Sequence, residues 1–201
     1  MRVSAQKLSA FAARWLVKQR YVVEYVGDRQ GAGHPVTVFS SAHDLENFSQ
    51  ARLPDRLVAL AELRAHSLAY RSPIFVAVEN GEVMGYSFLL IANKEGLWHD
   101  SLPCVVGDAR ETSTWVPAPY RGRGVRSSLL SSQAEYCKNS GLRFIAVIER
   151  DNKSSLTSSM RFGAVVFRRN LLVKVVGRNV LSFTTNPLRV YALLGARRVH
   201  R

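Results

Sequence analysis

With 201 residues, of which 47% are hydrophobic, the chain can form one packed domain and is too apolar to be disordered. Its net charge of +13 is unevenly placed, because residues 152–201 carry ten basic side chains and no acidic one. This basic third indicates a polyanionic partner (nucleic acid, an anionic membrane surface or a phosphorylated small molecule), or it only solubilises an apolar segment. The sequence has no apolar run of about 20 residues and no signal-peptide core near Met1, which predicts a cytoplasmic protein.

Cysteine and histidine usage predicts no metal site. The sequence has no His-Glu-x-x-His motif and no paired-cysteine spacing. Cys104 and Cys137 are expected to be reduced thiols, since nothing indicates secretion.

The first half of the chain alternates helical and strand patterns. Apolar spacing and glycine content predict, in order, a helix over 4–20, a strand over 21–26, a loop over 27–35 and a helix over 57–70. Residues 74–78 and 83–90 then predict a β-hairpin, because Asn80-Gly81 between them supplies the positive φ angles of a tight turn.

The second half continues the alternation. It predicts a strand over 111–116, a helix over 125–140, a strand over 144–148, a helix from 152 to about 163, strands over 164–175 and 180–184, and a last helix over 187–198. This order favours an α/β fold in which helices cover both faces of a mixed sheet.

Residues 115–130 form the most informative segment: a strand end, a glycine-rich turn with two arginines, and a helix start. Gly122 and Gly124 let the backbone approach an anion, and the helix N-terminus adds about half a positive charge. The segment therefore predicts a pyrophosphate site. It is neither a Walker A loop, which ends in Gly-Lys-Ser/Thr, nor the Gly-x-Gly-x-x-Gly fingerprint, since residue 127 is serine.

In this context the turn resembles motif A of the GNAT superfamily of N-acetyltransferases, Gln/Arg-x-x-Gly-x-Gly/Ala, with Arg121, Gly124 and Val125 at matching positions. Residues 152–155 and 161–164 resemble the Asn-x-x-Ala/Ser and Gly-Phe elements of motif B. The resemblance covers about residues 70–170, the expected acyl-CoA-binding core.

The resemblance implies a GNAT-type mixed, mostly antiparallel sheet, flanked by helices and splayed between strands four and five. It also implies a single domain over 1–201, in which 1–70 contributes acceptor-side elements and 187–201 forms a basic C-terminal segment.

The activity implied is N-acetyltransferase: transfer of an acetyl or other short acyl group from acyl-CoA, with no metal, to a primary amine by direct attack in a ternary complex. The pyrophosphate would rest on the turn, and the pantetheine arm would lie between strands four and five. The residues expected to bind CoA are Val116, Arg121, Gly122, Arg123, Gly124, Val125, Arg126, Ser127, Asn152 and Ser155.

An amine with a pKa of about 10 must lose a proton to attack, and Glu111 is the first candidate base, with Glu149 second. Many family members protonate the leaving thiolate with a tyrosine seven residues after the motif B asparagine. Here that residue is Ser159, a poorer acid, so another group or water would take the role. Arg126 stands where the family usually has Gly or Ala, and would either swing out toward the 3′-phosphate or hinder binding.

Two other functions stay open. One is a non-catalytic acyl-CoA-binding module of the same fold; the other is a nucleic-acid-binding protein that uses the basic third, although no reader motif supports nucleic acid. The expected acceptor is a small-molecule amine. Contact of residues 187–201 with an anionic membrane, and a homodimer, also stay open.

Overall fold

The computed structural model describes residues 15–26, 31–48, 52–65, 70–97, 103–175, 178–184 and 189–192. The strands in these ranges are β1 (Trp15–Tyr25), β2 (Val36–Phe39), β3 (Tyr70–Arg71), β4 (Ile74–Glu79), β5 (Glu82–Ala92), β6 (Gly96–Leu97), β7 (Pro103–Cys104), β8 (Asp108–Trp115), β9 (Arg143–Glu149), β10 (Ala164–Val175), β11 (Arg178–Thr184) and β12 (Arg189–Ala192). The helices are α1 (Ala42–Glu46), α2 (Asp55–Ala65), α3 (Val125–Asn139) and α4 (Lys153–Arg161), with a 3-10 turn at Ala118–Tyr120.

One large sheet organises the described part of the chain, in the order β12-β11-β10-β1-β9-β8-β5-β4-β2, with β3 added beside β5. The β8–β9 pair is parallel, and the other pairings are antiparallel. The predicted mixed, mostly antiparallel sheet is therefore confirmed.

Helices cover both faces of this sheet, as the alternation of buried residues in the central strands requires. Phe75, Met84 and Leu89 point to the face covered by α3, where they join Val125 and Leu129. Their neighbours Ile74, Val76, Tyr86 and Phe88 point to the other face and pack with Leu45 of α1 and Leu57 of α2. Burial on both faces explains why β5 is mostly apolar from Val83 to Ala92.

The hairpin predicted at 74–90 is confirmed. Asn80 and Gly81 have φ angles of 51° and 78°, the left-handed values of a type I′ turn. The strands and helices predicted between 111 and 184 are also present, with shifts of a few residues at their ends. The second predicted helix is shorter than expected, since α2 ends at Ala65 and Tyr70 begins β3.

The first described strand, β1, lies inside the sheet, between β9 and β10. It pairs with β10 from Trp15 to Tyr25 and with β9 from Arg20 to Glu24. The helix predicted over 4–20 is therefore wrong for residues 15–20, while 4–14 lie outside the described residues. Hydrogen-bond partners on both edges outweigh a local apolar spacing that also suits a helix.

The helix predicted over 187–198 is wrong for residues 189–192, which pair with β11 as β12. The edge of β11 offers a ladder of backbone partners, and Val190 and Tyr191 are good strand formers. The other residues of the predicted helix, 187–188 and 193–198, lie outside the described residues. Within the described ranges, no helix has the length and apolar character needed to cross a membrane.

The parallel pair β8–β9 opens partway along its length. Its residues pair from Asp108 with Arg143 to Glu111 with Ala146, and beyond that point the two strands continue without pairing to each other. An ion pair between Arg143 and the buried Asp108 joins β8 and β9 at their paired end. There the amide of Val105 donates to Asp108 Oδ2 at 3.1 Å. The expected splay between the fourth and fifth family strands corresponds to this opening.

Candidate active site

A cleft of about 1270 Å³ lies where β8 and β9 separate. Its walls come from β8 beyond Glu111, the turn before α3, β9 beyond Ala146, and α4. The cleft thus begins at the last β8–β9 pair and extends to the glycine-rich turn.

The turn presents the start of α3 to the cleft. Gly122 and Gly124 adopt φ angles of 77° and 83°, which side chains other than glycine rarely adopt, and Gly124 is the N-cap of α3. The first intrahelical bond runs from Ser128 N to Gly124 O at 3.1 Å, so the amides of residues 125–127 precede the helical ladder. This geometry suits an anion such as a pyrophosphate.

Nine of the ten residues predicted to bind CoA line the cleft: Val116, Arg121, Gly122, Gly124, Val125, Arg126, Ser127, Asn152 and Ser155. The tenth, Arg123, is exposed, and its guanidinium lies over the ring of Tyr120, 5.7 Å from the centroid. Arg121 ties the turn to the end of β8, since its Nε donates to Val116 O at 3.0 Å. Asn152 caps α4, because its side-chain oxygen accepts from Ser155 N at 3.1 Å.

The loop between β1 and β2 supports the turn from behind. A Cβ on Gly31 would lie 2.8 Å from Ser127 O. His34 N donates to Ser128 Oγ at 3.2 Å, and its ring Nε2 lies 2.8 Å from Arg123 O, which can only accept. Residues 31–35 are not among those lining the cleft, so this described part of the loop leaves the cleft side of the turn open.

Glu111 lies at the closed end of the cleft with only 6% of its side chain exposed. Its Oε1 accepts from Thr114 Oγ1 at 2.7 Å and from Arg126 Nη2 at 3.5 Å. Its Oε2 accepts from the Tyr25 hydroxyl at 3.0 Å. Donors from three separate elements therefore fix the orientation of the carboxylate.

A β-bulge brings Thr114 to Glu111. Residues three apart in a regular strand point to opposite faces. In β8, however, Ser113 has a φ angle of 51°, and Ser87 of β5 lies opposite both Ser113 and Thr114. The extra residue turns Thr114 to the side of Glu111.

The contacts of Thr114 continue into the core. Because the Thr114 hydroxyl gives its hydrogen to Glu111, Ser87 Oγ, 2.7 Å away, must donate to Thr114. The buried Gln133 on α3 then donates from Nε2 to Ser87 Oγ at 3.1 Å. A directed chain of hydrogen bonds thus runs from α3 through β5 and β8 to the carboxylate.

Ser159 lies behind the cleft wall and is fully buried. Its Oγ is 3.0 Å from the Tyr25 hydroxyl and 3.3 Å from Arg126 Nη2. Burial, and next the charge of Glu111, raise the pKa of Tyr25 well above its usual value, so the phenol stays protonated. The hydrogen bonds of Arg126 direct its side chain inward, to Glu111 and Ser159.

Glu149, the other candidate base, differs from Glu111 in exposure. It lines the cleft on β9 with 41% of its side chain exposed, and its Oε1 is 3.8 Å from Arg20 Nη2. The cleft therefore holds one buried carboxylate at its closed end and one exposed carboxylate farther along β9.

No sequence pattern indicated that Tyr25, Ser87 or Gln133 belongs to this site. Tyr25 reaches it only because β1 inserts beside β9, 86 positions from Glu111 in sequence. Among the described residues, no group of three or more His, Cys, Asp or Glu side chains is arranged to hold a metal ion.

A sequence profile of the Acetyltransferase (GNAT) family matches residues 40–160. Among solved structures, the chain is similar to an acetyltransferase of the GNAT family from Colwellia psychrerythraea, with a TM-score of 0.51 and 11% identity over 85% of this chain and 61% of that one. It is also similar to a functionally unknown conserved protein from Staphylococcus epidermidis, with a TM-score of 0.49 and 13% identity over 87% of this chain and 69% of that one.

A third similar structure is a GCN5-related N-acetyltransferase from Sphaerobacter thermophilus, with a TM-score of 0.48 and 14% identity over 88% of this chain and 58% of that one. The chain spans about six-tenths of the length of the two named acetyltransferases. No curated protein sequence matches it. Because the family profile covers more than half of its residues, the chain belongs to the GNAT family of acetyltransferases.

Proposed function

We propose that this protein transfers an acetyl or other short acyl group from acyl-CoA to a primary amine of a small molecule. Family membership implies acyl transfer from acyl-CoA. The observation that carries the proposal is the open cleft between β8 and β9, which ends at the exposed start of α3.

The cleft suits CoA in charge and in backbone chemistry. Arg121, Lys153 and Arg161 line it beside one exposed carboxylate, Glu149, so basic residues outnumber acidic ones there and complement a pyrophosphate. Where β8 and β9 are no longer paired to each other, their facing edges offer backbone donors and acceptors. The amide-bearing pantetheine arm can bind these groups as an added strand would.

The transfer needs a base, and we propose Glu111 for this role. The amine nitrogen attacks the thioester carbon, a proton passes from nitrogen to Glu111 directly or through water, and the carbon–sulfur bond breaks. The amide of Val116 is proposed to stabilise the developing oxyanion. Since Ser159 lies behind the cleft wall, the thiolate is expected to take its proton from water.

The alternative is a module that binds acyl-CoA without turning it over. The observation that favours it is the number of donors already on Glu111: Thr114, Tyr25 and Arg126 all point at its two oxygens. A carboxylate engaged in this way must release a donor, or act through water, before it accepts a proton.

The test is to incubate the protein with acetyl-CoA and a panel of primary amines, to follow free CoA thiol, and to identify products by mass spectrometry. The proposal predicts amine-dependent thiol release and an N-acetylated product. Glu111→Gln should lower kcat by at least about 100-fold, the usual contribution of general acid–base catalysis, and by more than Glu149→Gln, the same change at the second candidate base. Saturable acetyl-CoA binding without thiol release for any amine would support the binding module instead.

A further inference from the structure

We propose that Tyr25 is a positioning residue that holds the Glu111 carboxylate, within a ring of hydrogen bonds completed by Ser159 and Arg126. The inference rests on the proposed function, because it concerns the group that accepts the proton of the amine.

The direction of each hydrogen bond in the ring follows from chemistry. A carboxylate only accepts, so the Tyr25 hydroxyl gives its hydrogen to Glu111 Oε2 at 3.0 Å. Ser159, 3.0 Å from the same hydroxyl, must then donate to Tyr25. Arg126 Nη2 donates to Ser159 Oγ at 3.3 Å and to Glu111 Oε1 at 3.5 Å, which closes the ring.

The ring of Tyr25 is held on two sides by aromatic contacts. It stacks on Phe144 of β9 with centroids 4.4 Å apart, and it meets Phe162 edge-on at 5.9 Å. These contacts restrict the side chain to one orientation and fix where the hydroxyl meets the carboxylate. Tyr25 does not line the cleft, so it acts through Glu111 and not on substrate.

The charge states of the groups in this hydrogen-bonded ring also favour a positioning role for Tyr25. Among the described residues, the charged or titratable groups in hydrogen-bond contact with Glu111 are Tyr25 from β1 and Arg126 from α3. Because the pKa of Tyr25 is raised by burial and by the charge of Glu111, the phenol keeps its proton while the carboxylate is ionised. Tyr25 therefore remains a donor over the pH range in which an amine is acylated.

The kinetic test compares Tyr25→Phe with Tyr21→Phe, a tyrosine on the same strand that has no part in the ring. We expect Tyr25→Phe to lower kcat by about tenfold, below the full contribution of a catalytic base, with the Kd for CoA unchanged. The acid limb of the kcat–pH profile should move to higher pH, because the ionised carboxylate has lost a donor. Tyr21→Phe should match the wild type in kcat and in the kcat–pH profile.

Two further variants guard against simple misfolding. Ser159→Ala removes the donor to Tyr25 without disturbing the Tyr25 side chain and should lower kcat in the same direction. In a Glu111→Gln background, Tyr25→Phe should cause no further loss. An unchanged kcat and pH profile in Tyr25→Phe, or an additive loss in the double variant, would overturn the proposal.

A measurement without substrate separates this inference from the proposed function. The ¹³Cζ resonance of Tyr25 should move in Glu111→Gln and stay in place in Glu149→Gln, whether or not any amine is acylated. A resonance unaffected by Glu111→Gln would show that the hydroxyl does not meet the carboxylate. Absence of thiol release by the wild type, with the resonance shift present, would instead count against the acyltransferase activity.

Discussion

Nη2 of Arg126 lies 3.5 Å from Oε1 of Glu111, so the first turn of α3 is tied directly to the closed end of the cleft. Arg126 lies in the first turn of α3, which faces the expected pyrophosphate, and Glu111 is the proposed base. The proposed base and the helix start that faces the expected pyrophosphate therefore share one electrostatic contact.

Arg126→Gln should destabilise the protein. The carboxylate of Glu111 is 6% exposed and would keep only neutral donors. Loss of a hydrogen bond between charged groups costs about 1.5–3 kcal/mol, and the length of this contact and the 24% exposure of Arg126 favour a loss of about 1–2 kcal/mol. Urea denaturation measures it, with Arg126→Lys as the charge-preserving control. An unchanged midpoint in Arg126→Gln would contradict the contact.

Gly124→Ala should weaken CoA binding and stability more than Gly122→Ala. Both glycines have positive φ angles, so alanine costs about 1–2 kcal/mol at either position. At Gly124 the new Cβ would also lie 2.3 Å from the Cβ of Ala32, whereas at Gly122 nothing lies within 4 Å. Thermal unfolding and calorimetric titration with CoA measure the difference. Equal effects of the two substitutions would argue against the close packing of the 31–35 loop on the turn.

Cys137 should be unreactive in the folded protein. Burial in the core raises its pKa to about 12, so only about one thiol in ten thousand is ionised at pH 8. Cys104 is partly exposed, and neither cysteine forms a disulfide bond. Titration with a disulfide reagent at pH 8 should detect one fast thiol in the native protein and two after denaturation. Rapid reaction of Cys137 in the Cys104→Ser variant would contradict its burial.

Asp108→Ala should destabilise the protein by about 2–3 kcal/mol. This is less than the cost of breaking a fully buried pair, because the side chain of Arg143 is 30% exposed. The substitution leaves the guanidinium of Arg143 and the amide of Val105 without their acceptor. Urea denaturation measures the loss, and Glu62→Ala, at an exposed position of α2, should change stability by less than about 0.5 kcal/mol. A loss no larger than that of the control would show that the ion pair does not hold the paired end of β8 and β9 together.

Local patterns predicted the middle of the fold well, because there the chain pairs with its neighbours in sequence. The Asn80-Gly81 turn specifies its hairpin, and Gly124 and Asn152 mark the starts of α3 and α4. The two ends were mispredicted where strands β1 and β12 replace expected helices. Their conformation depends on edges supplied by distant strands, which no local spacing reveals.

The candidate site, like the fold, could be predicted from the sequence only in part. The turn could be predicted because its glycines and arginines are contiguous in sequence. The surroundings of Glu111 could not, because they arise from a bulge at Ser113 and from a tyrosine carried in by β1. Likewise, the inward direction of Arg126 depends on finding Glu111 and Ser159 together beneath it.

Acyl-CoA is proposed to bind in the cleft between β8 and β9, against the turn before α3. Titration of ¹⁵N-labelled protein with CoA, followed by amide NMR, tests this binding site. We expect the amides of residues 122–127 to shift most, together with those at the facing edges of β8 and β9, and to saturate at one CoA per chain. Saturable shifts confined to other parts of the protein, or no shifts at millimolar CoA, would contradict this proposal.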